Sequence, residues 1–220
     1  AQHIKSRGLK ARLTTVEPNA PWAGYQRVFS EQFRDQVNYL PNTRLRKIDP
    51  YRRVATLDID DIHFDDAILM PPQQAAEICR NNGLNGSNSG WAAVNPKNFA
   101  FLSDERVFVI GDSVGAVSAL FGHYPKTGEL ASRMGSIVAQ EIIGRITDKP
   151  TTPELPEGTC FAYLSMEPPQ VVRIESRYRI RGDGEIMQNI SQKRENNPQG
   201  EEDAWLNTWH GALFGAATKR

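Results

Sequence analysis

The chain has 220 residues, with 26 basic and 26 acidic side chains, so its formal net charge at pH 7 is zero. Its hydrophobic fraction of 39% and charged fraction of 24% are ordinary for a globular protein. The charge balance gives no reason to expect a nucleic-acid partner or an anionic membrane surface. No apolar run approaches the roughly 20 residues needed to span a bilayer, and no signal peptide is visible after Ala1.

The beginning of the chain has the pattern of half a dinucleotide-binding unit. Residues 1–7 predict a helix closed by Gly8, and residues 10–17 predict a strand that ends in the acidic Glu17. Helix, glycine, strand and acid form the second half of a Rossmann-type unit, whose first half carries a strand and a Gly-x-Gly-x-x-Gly turn. We therefore expect a complementary amino-terminal half, on another chain or in a segment before Ala1.

Short elements are predicted for the next part of the chain. Ser30 is a candidate N-cap for a helix over residues 30–39, in which Phe33 and Val37 lie four residues apart. The remaining predictions are an antiparallel hairpin over residues 53–59 and 62–64, a buried strand over 66–70, a short helix over 73–81 and a polar turn over 85–90.

The strongest local signals lie between residues 107 and 128. Residues 107–110 predict a buried strand of a parallel core that also contains residues 11–16, and Gly111 predicts a turn. Asp112 then presents a carboxylate at the carboxyl end of that strand, where open α/β sheets bind ligands. Pro125-Lys-Thr-Gly128 opens a long amphipathic helix, whose amino end suits an anionic or electron-rich group.

The last third of the chain predicts a separate small domain. Residues 149–158 form a proline-rich linker and a domain boundary. Beyond it, residues 161–166, 171–180 and 186–191 predict an antiparallel set of strands, and residues 201–215 predict a helix rich in tryptophan.

Four motifs, in this order and spacing, resemble the flavoprotein subunit of flavocytochrome c sulfide dehydrogenase. They are Leu69-Met-Pro-Pro-Gln73, Ser89-Gly-Trp91, Val109-Ile-Gly-Asp112 and Pro125-Lys-Thr-Gly128. A strand followed by Gly-Asp also resembles the second flavin-contacting motif of FAD oxidoreductases with two dinucleotide-binding domains. The resemblance covers most of the chain and corresponds to the second half of the family protein. Residues 114–124 depart from the family pattern, because the segment is several residues longer here.

The resemblance implies an α/β fold, namely a partial two-dinucleotide-domain flavoprotein (Rossmann-like) with a small C-terminal α+β domain. It divides the chain into the second half of a nucleotide-binding-like domain (residues 1–65), an FAD-binding segment (66–148) and a C-terminal flavin-binding and interface domain of the sulfide dehydrogenase type (149–220). It also implies a periplasmic location.

FAD is the cofactor that the resemblance implies. The residues that would bind it are Gly111, Asp112, Lys126, Thr127, Gly128 and Trp205. Asp112 would bind the ribityl chain, and the backbone of residues 126–128 would face the pyrimidine edge of the flavin, where charge accumulates on reduction. Taken alone, Asp112 also fits a simple turn acid, Lys126 a solvated side chain, and Trp205 an aromatic packed on the core.

Cys160 is the candidate catalytic residue. A lone cysteine beside an aromatic strand is usually a small core residue, but Gly158-Thr-Cys-Phe161 resembles the family segment that supplies half of a redox-active disulfide. In the family, the partner cysteine lies upstream of the position of Ala1, and the disulfide accepts sulfide to form a persulfide. Cys79 matches an ordinary helix residue, and the two cysteines lack the spacing of a metal site, so no metal is expected.

The leading hypothesis is an FAD-dependent oxidoreductase of the sulfide dehydrogenase type. Electrons would pass from sulfide or another reduced sulfur compound, through a disulfide containing Cys160 and through FAD, to a c-type cytochrome subunit. A related flavin oxidoreductase that uses a quinone or a nicotinamide nucleotide is an alternative within enzymes. A half-flavoprotein that acts only as a structural or interaction subunit is the alternative outside them.

Overall fold

The computed structural model describes residues 1–21, 23–86, 90–118, 122–196 and 198–215. Within these ranges the chain is a mixed α/β protein with several small sheets. It divides into two compact units, Ala1–Pro71 with Tyr163–Val171 and Pro72–Ala162 with Val172–Arg220. The three-part division predicted from the resemblance stays a prediction.

The first unit begins with a helix, a strand, a helix and a strand. These are α1 (Gln2–Ser6), β1 (Leu13–Val16), α2 (Ala23–Gln32) and β2 (Val37–Leu40). The predicted first helix and strand are confirmed, and β1 pairs in parallel with β2, with Leu13 opposite Val37. Gly8 has a φ of +60°, a conformation that glycine adopts without steric cost.

The helix predicted over residues 30–39 is wrong. Helix α2 ends at Gln32, and Ser30 lies inside it, with its hydroxyl donating to the carbonyl oxygen of Arg27. Phe33 and Val37 are both buried, at 6% and 7% exposure. Their spacing therefore marks two core positions, and Val37 belongs to a strand because its backbone pairs with β1.

An antiparallel sheet follows in the first unit. Its strands are β3 (Leu45–Asp49), β4 (Val54–Leu57) and β5 (Asp61–His63). The predicted hairpin is confirmed as β4 and β5, and β3 was not predicted. The strand predicted over residues 66–70 is wrong, because no strand forms there and Ile68 and Met70 are 96% and 80% exposed.

The second unit opens with short elements. These are α3 (Glu77–Asn81), β6 (Ala100–Phe101), β7 (Asp104–Phe108), β8 (Ala116–Ser118) and β9 (Gly122–His123). The predicted strand over residues 107–110 corresponds to the end of β7, which pairs antiparallel with β6 in a two-stranded sheet. The expected parallel core around this strand is therefore wrong for the described chain. Gly111–Ser113 follows as a single 3-10 turn.

The long helix α4 (Gly128–Thr147) confirms the prediction from the Pro125-Lys-Thr-Gly128 motif. The hydroxyl of Thr127 accepts a hydrogen bond from the backbone N–H of Leu130, which is the usual N-cap interaction. The buried apolar side chains of the helix recur at helical spacing, and they are Leu130, Met134, Ile137 and Val138. Asp148 ends the helix in the left-handed conformation, with a φ of +52°.

The carboxyl-terminal elements also follow the prediction. They are β10 (Gly158–Met166), β11 (Pro169–Ile180), β12 (Ile186–Asn196) and α5 (Glu201–Phe214). The three strands form one sheet in chain order, and their short connections are those of antiparallel neighbours. Tyr178 and Ile186 from this sheet join Phe99, Tyr124 and Met134 in one buried cluster. None of the described helices has both the length and the apolarity to cross a membrane.

Candidate functional site

The amino end of α4 is the place where the predicted site residues meet. Thr127 and Gly128 form its N-cap and first helical position. Around it lie the 3-10 turn with Gly111 and Asp112, the side chain of Lys126, the start of β10 with Cys160, and Trp205 on α5. All these residues belong to the second compact unit.

The turn containing Gly111 and Asp112 rests directly on the first turns of α4. Gly111 has a φ of +68°, and a Cβ atom added to it would lie 3.3 Å from the Cβ atom of Ala131. Its backbone N–H points at the sulfur of Met134, 3.2 Å away. The predicted turn at Gly111 is confirmed, and it leaves the Asp112 side chain exposed beside the start of the helix.

Lys126 is not a solvated side chain. Its ammonium nitrogen lies 2.5 Å from the carbonyl oxygen of Val114 and 4.4 Å from the centre of the Trp91 ring. Burial lowers the pKa of Lys126, while the negative charge of Asp112 acts in the opposite direction. The side chain thus links Trp91 to the segment that leads into α4.

Two residues from the preceding part of the second unit also contact this segment. Trp91 belongs to Ser89-Gly-Trp91, although Ser89 lies outside the described residues. Following the two prolines at 71 and 72, the backbone N–H of Ala76 donates to the hydroxyl of Ser113 at 3.0 Å. Trp91 and Ala76 therefore lie next to the segment that runs from Gly111 to the start of α4.

Cys160 lies at the start of β10, half-buried, and it is not part of a disulfide. Burial and, to a smaller degree, the nearby Glu129 carboxylate raise the pKa of its thiol. A thiol with a raised pKa is mostly protonated at neutral pH and is a weak nucleophile. The structure thus shows Cys160 close to the predicted flavin-binding segment but not activated as a free thiolate.

Trp205 is held at the same place by a hydrogen bond. Its indole N–H lies 3.2 Å from a carboxylate oxygen of Glu129, and its ring meets Phe161 edge-on at 5.7 Å between centroids. Trp205 is partly exposed, so the simple interpretation of an aromatic packed in the core describes it only in part.

Glu129 is the residue of this site that the sequence did not single out. It is only 8% exposed, although an acid in the first turn of a helix is ordinarily a surface residue that interacts with the helix dipole. Its ion pair with Arg133, four residues on, is ordinary for an exposed helix face. Its other partners, Thr159 and Trp205, are 30 and 76 residues away, so nothing in the local sequence predicts its burial.

The donors and acceptors of this site fit a flavin. Among the described residues, the backbone N–H groups of Gly128 and Glu129 have no hydrogen-bond partner, as expected for the first turn of a helix. They could donate to the electron-rich edge of the ring system, and the exposed carboxylate of Asp112 could accept from hydroxyl groups. By contrast, no group of three or more His, Cys, Asp or Glu among the described residues is placed to hold a metal ion.

No protein-family model matches the chain. Solved structures match it at low identity. The reduced Bacillus anthracis CoADR-RHD gives a TM-score of 0.52 with 17% identity over 90% of this chain and 39% of its own. The NAD-dependent persulfide reductase from A. fulgidus gives 0.51 with 15% identity over 94% and 45%. The engineered water-forming NADPH oxidase TPNOX, bound to NADPH, gives 0.50 with 13% identity over 87% and 51%.

These similarities show the fold. The chain has the mixed α/β fold found in part of a persulfide reductase and of an NADPH oxidase. It spans 39–51% of the length of the three structures.

Proposed function

We propose that this chain supplies the flavin-ring side of an FAD-dependent oxidoreductase that oxidises sulfide or another reduced sulfur compound. The observation that carries the proposal is the meeting of Gly111, Asp112, Thr127, Gly128 and Cys160 around the amino end of α4. The fold shared with a persulfide reductase and an NADPH oxidase supports it.

The residues of the chain have separate tasks in this proposal. The backbone N–H groups at Gly128 and Glu129, with the positive end of the helix dipole, would hold the pyrimidine edge of FAD. The Asp112 carboxylate would accept hydrogen bonds from the ribityl hydroxyls. The Lys126 side chain would not bind the cofactor. Through its contacts with Val114 and Trp91 it would stabilise the segment that leads into α4.

Cys160 would take part in the sulfur chemistry as half of a disulfide with a cysteine of another segment. Hydrosulfide attacks one sulfur of that disulfide, a new S–S bond forms, and the bond between the two cysteines breaks. The attacked cysteine becomes a persulfide and the other leaves as a thiolate, so sulfide is oxidised by two electrons and the disulfide is reduced by two. A second hydrosulfide then takes the outer sulfur of the persulfide and leaves as hydrodisulfide, so both cysteines are thiolates. FAD, when bound, would accept the two electrons released when these thiolates re-form the disulfide.

A c-type cytochrome subunit is the electron acceptor that completes the proposal, together with the complementary flavoprotein half. A cytochrome of this kind would place the assembly in the periplasm. A quinone or a nicotinamide nucleotide remains the alternative acceptor, and the solved structures of an NAD-dependent reductase and an NADPH-bound oxidase favour the nucleotide among these two.

The direct test is the visible absorption spectrum of the native assembly, purified with every associated chain. Mass spectrometry gives the mass of each chain present. Asp112→Asn should weaken flavin retention about ten- to a hundredfold, because a hydrogen bond to a charged group contributes about 1.5–3 kcal/mol. Asp35→Asn is the matched control, because Asp35 is also exposed but lies in the first compact unit. Flavin retention that is unchanged in the Asp112 variant would remove Asp112 from the site.

A structural or interaction subunit is the second candidate function. The raised pKa of the Cys160 thiol favours it, because a thiol with a raised pKa is a poor leaving group in the disulfide exchange that the enzyme would need. The two candidates separate when sulfide is added to the native assembly together with an electron acceptor, with oxidised cytochrome c, a quinone and a nicotinamide nucleotide tested in turn. If the acceptor is reduced and this reduction is lost in Cys160→Ser, the enzyme is supported. If an assembly that contains flavin reduces no acceptor, the structural subunit is supported.

A further inference from the structure

We propose that Glu129 is a positioning residue, whose buried carboxylate fixes Cys160 and Trp205 at the amino end of α4 and restrains the reactivity of Cys160. The inference deepens the proposed function and rests on it, because Cys160 and Trp205 matter there only if the helix end is the flavin site. The geometry around Glu129 can nevertheless be tested without any turnover.

Both oxygens of the Glu129 carboxylate are engaged. One accepts from the guanidinium of Arg133, with Nη2 at 3.2 Å and Nε at 3.4 Å. The other accepts from the backbone N–H of Thr159 at 3.0 Å and from the indole N–H of Trp205 at 3.2 Å. A buried charge is costly unless it is paired and hydrogen-bonded, and Glu129 meets both conditions.

These contacts connect three elements that are far apart in sequence. Glu129 and Arg133 belong to α4, Thr159 to β10 and Trp205 to α5. Arg133 also lies over the Trp209 ring, at 5.7 Å from its centre, so the ion pair touches α5 at two tryptophans. Gly158 allows the close approach of β10, since a Cβ atom there would lie 3.1 Å from Leu130.

The position of Glu129 has a consequence for Cys160, which directly follows Thr159. A carboxylate near a thiol opposes the formation of a second negative charge, and this charge adds to burial in raising the pKa of Cys160. From α4, Arg133 brings a positive charge that should oppose the effect of Glu129, although its side chain is half-exposed. Immediately before β10, Glu157 carries a further negative charge, and it pairs loosely with Arg177 of β11 at 3.7 Å. Trp205 brings no charge from α5.

Substitutions can separate the charge of Glu129 from its shape. Glu129→Gln keeps an acceptor oxygen for Thr159 or Trp205 but removes the negative charge. Glu129→Asp keeps the negative charge but shortens the side chain by one methylene group. Arg133→Gln leaves Glu129 in place and removes the compensating cation, so it should act in the opposite direction to Glu129→Gln.

The experiment is the rate of Cys160 alkylation by iodoacetamide as a function of pH, in the native assembly after mild reduction, with labelling followed by mass spectrometry. In Glu129→Gln the profile should shift to lower pH by about one unit, with about tenfold faster alkylation near neutral pH. Arg133→Gln should shift it to higher pH, and Glu129→Asp should stay close to the unaltered protein. Circular dichroism checks the fold of each variant.

The proposal is overturned if a folded Glu129→Gln protein has the unaltered profile. Should that variant not fold, Arg133→Gln decides, and a profile that does not move upward overturns the proposal equally. The result is independent of the proposed function, which fails instead if the unaltered assembly holds flavin but gives no sulfide-dependent cytochrome reduction that needs Cys160.

Discussion

The ammonium group of Lys126 lies 4.4 Å from the centre of the Trp91 ring while it donates to the carbonyl oxygen of Val114 at 2.5 Å. Both contacts restrain the segment that enters α4. The lysine in the Pro-Lys-Thr-Gly motif is therefore a structural cation in this chain. Its charge is retained next to an exposed acid, Asp112, which counteracts the effect of burial on the pKa of Lys126.

Lys126→Met should accordingly lower the free energy of unfolding by about 1–3 kcal/mol, because a charge-assisted hydrogen bond and a cation–π contact are lost. The affinity for flavin should change much less than in Asp112→Asn. Urea unfolding of the native assembly measures the first quantity, and flavin release measures the second. Lys149→Met is the control at an exposed position, with an expected change within about 0.5 kcal/mol. Equal effects of the two lysine variants would contradict a structural role for Lys126.

Gly111→Ala tests the close approach between the 3-10 turn and α4. An alanine there would take up a φ near +68° and place its Cβ atom 3.3 Å from Ala131. Gly83 offers a matched control, because it has the same φ of +68° but no atom within 4 Å of an added Cβ. Gly83→Ala should cost about 1–2 kcal/mol of unfolding free energy through backbone strain alone. Gly111→Ala should cost about 1 kcal/mol more, since the neighbouring helix must move. Equal costs in urea unfolding would show that the contact with Ala131 is unimportant.

Local signals predicted much of this architecture. Helix α4 carries an N-cap threonine and a regular apolar face. The strands after residue 158 are strand-like segments separated by clear turn sequences. No distant contact is needed to recognise either. The same signals brought Gly111, Asp112 and residues 126–128 into one hypothesis, and the structure places them together around the amino end of α4.

The failures have a common physical cause, which is pairing between distant segments. Val37 lies four residues after Phe33, as in a helix, but its backbone pairs with β1 more than twenty residues earlier in the chain. The apolar residues 68–70 resemble a core strand, yet they stay exposed because no strand of the described chain pairs with them. The burial of Glu129 likewise depends on Thr159 and Trp205.

Acid titration of Asp104 is the third prediction. Its carboxylate accepts hydrogen bonds from the guanidinium of Arg106 at 2.9 and 3.0 Å and from the backbone N–H of Arg106 at 3.0 Å. These interactions lower the pKa of Asp104 from 3.8 to about 2. Since the folded-state pKa is the lower one, the stabilisation is present above pH 3.8 and is lost as the pH falls through about 2. NMR titration of the carboxyl carbon should give this midpoint.

Arg106→Gln should return the pKa of Asp104 toward 3.8, because the side-chain interaction with the guanidinium is the largest cause of the shift. Glu105→Gln is the control, since it changes the neighbouring charge and leaves both partners of the ion pair. A midpoint that stays near 2 in the Arg106 variant would assign the shift to the backbone hydrogen bond instead.

The fourth prediction concerns which cysteine reacts. Cys79 is 4% exposed in α3, within a cluster that contains Ala75 and Ala92 at 0% and 2%. Reagent can reach it only when this part of the unit opens. Cys160 is half-buried at the start of β10, so it is accessible in the folded state even though its pKa is raised. In the native assembly, Cys160 should therefore be alkylated at least about tenfold faster than Cys79.

Denaturation provides the control, because the two thiols should react at similar rates once the chain is unfolded in urea. If a cysteine of another segment forms a disulfide with Cys160, labelling of Cys160 should require prior reduction, whereas labelling of Cys79 should not change. An early reaction of Cys79 both with and without reductant would contradict the assignment. The proposed sulfur oxidation would then have no reactive cysteine in this chain, and the structural subunit would become the better description, because Cys79 lies in a packed apolar cluster.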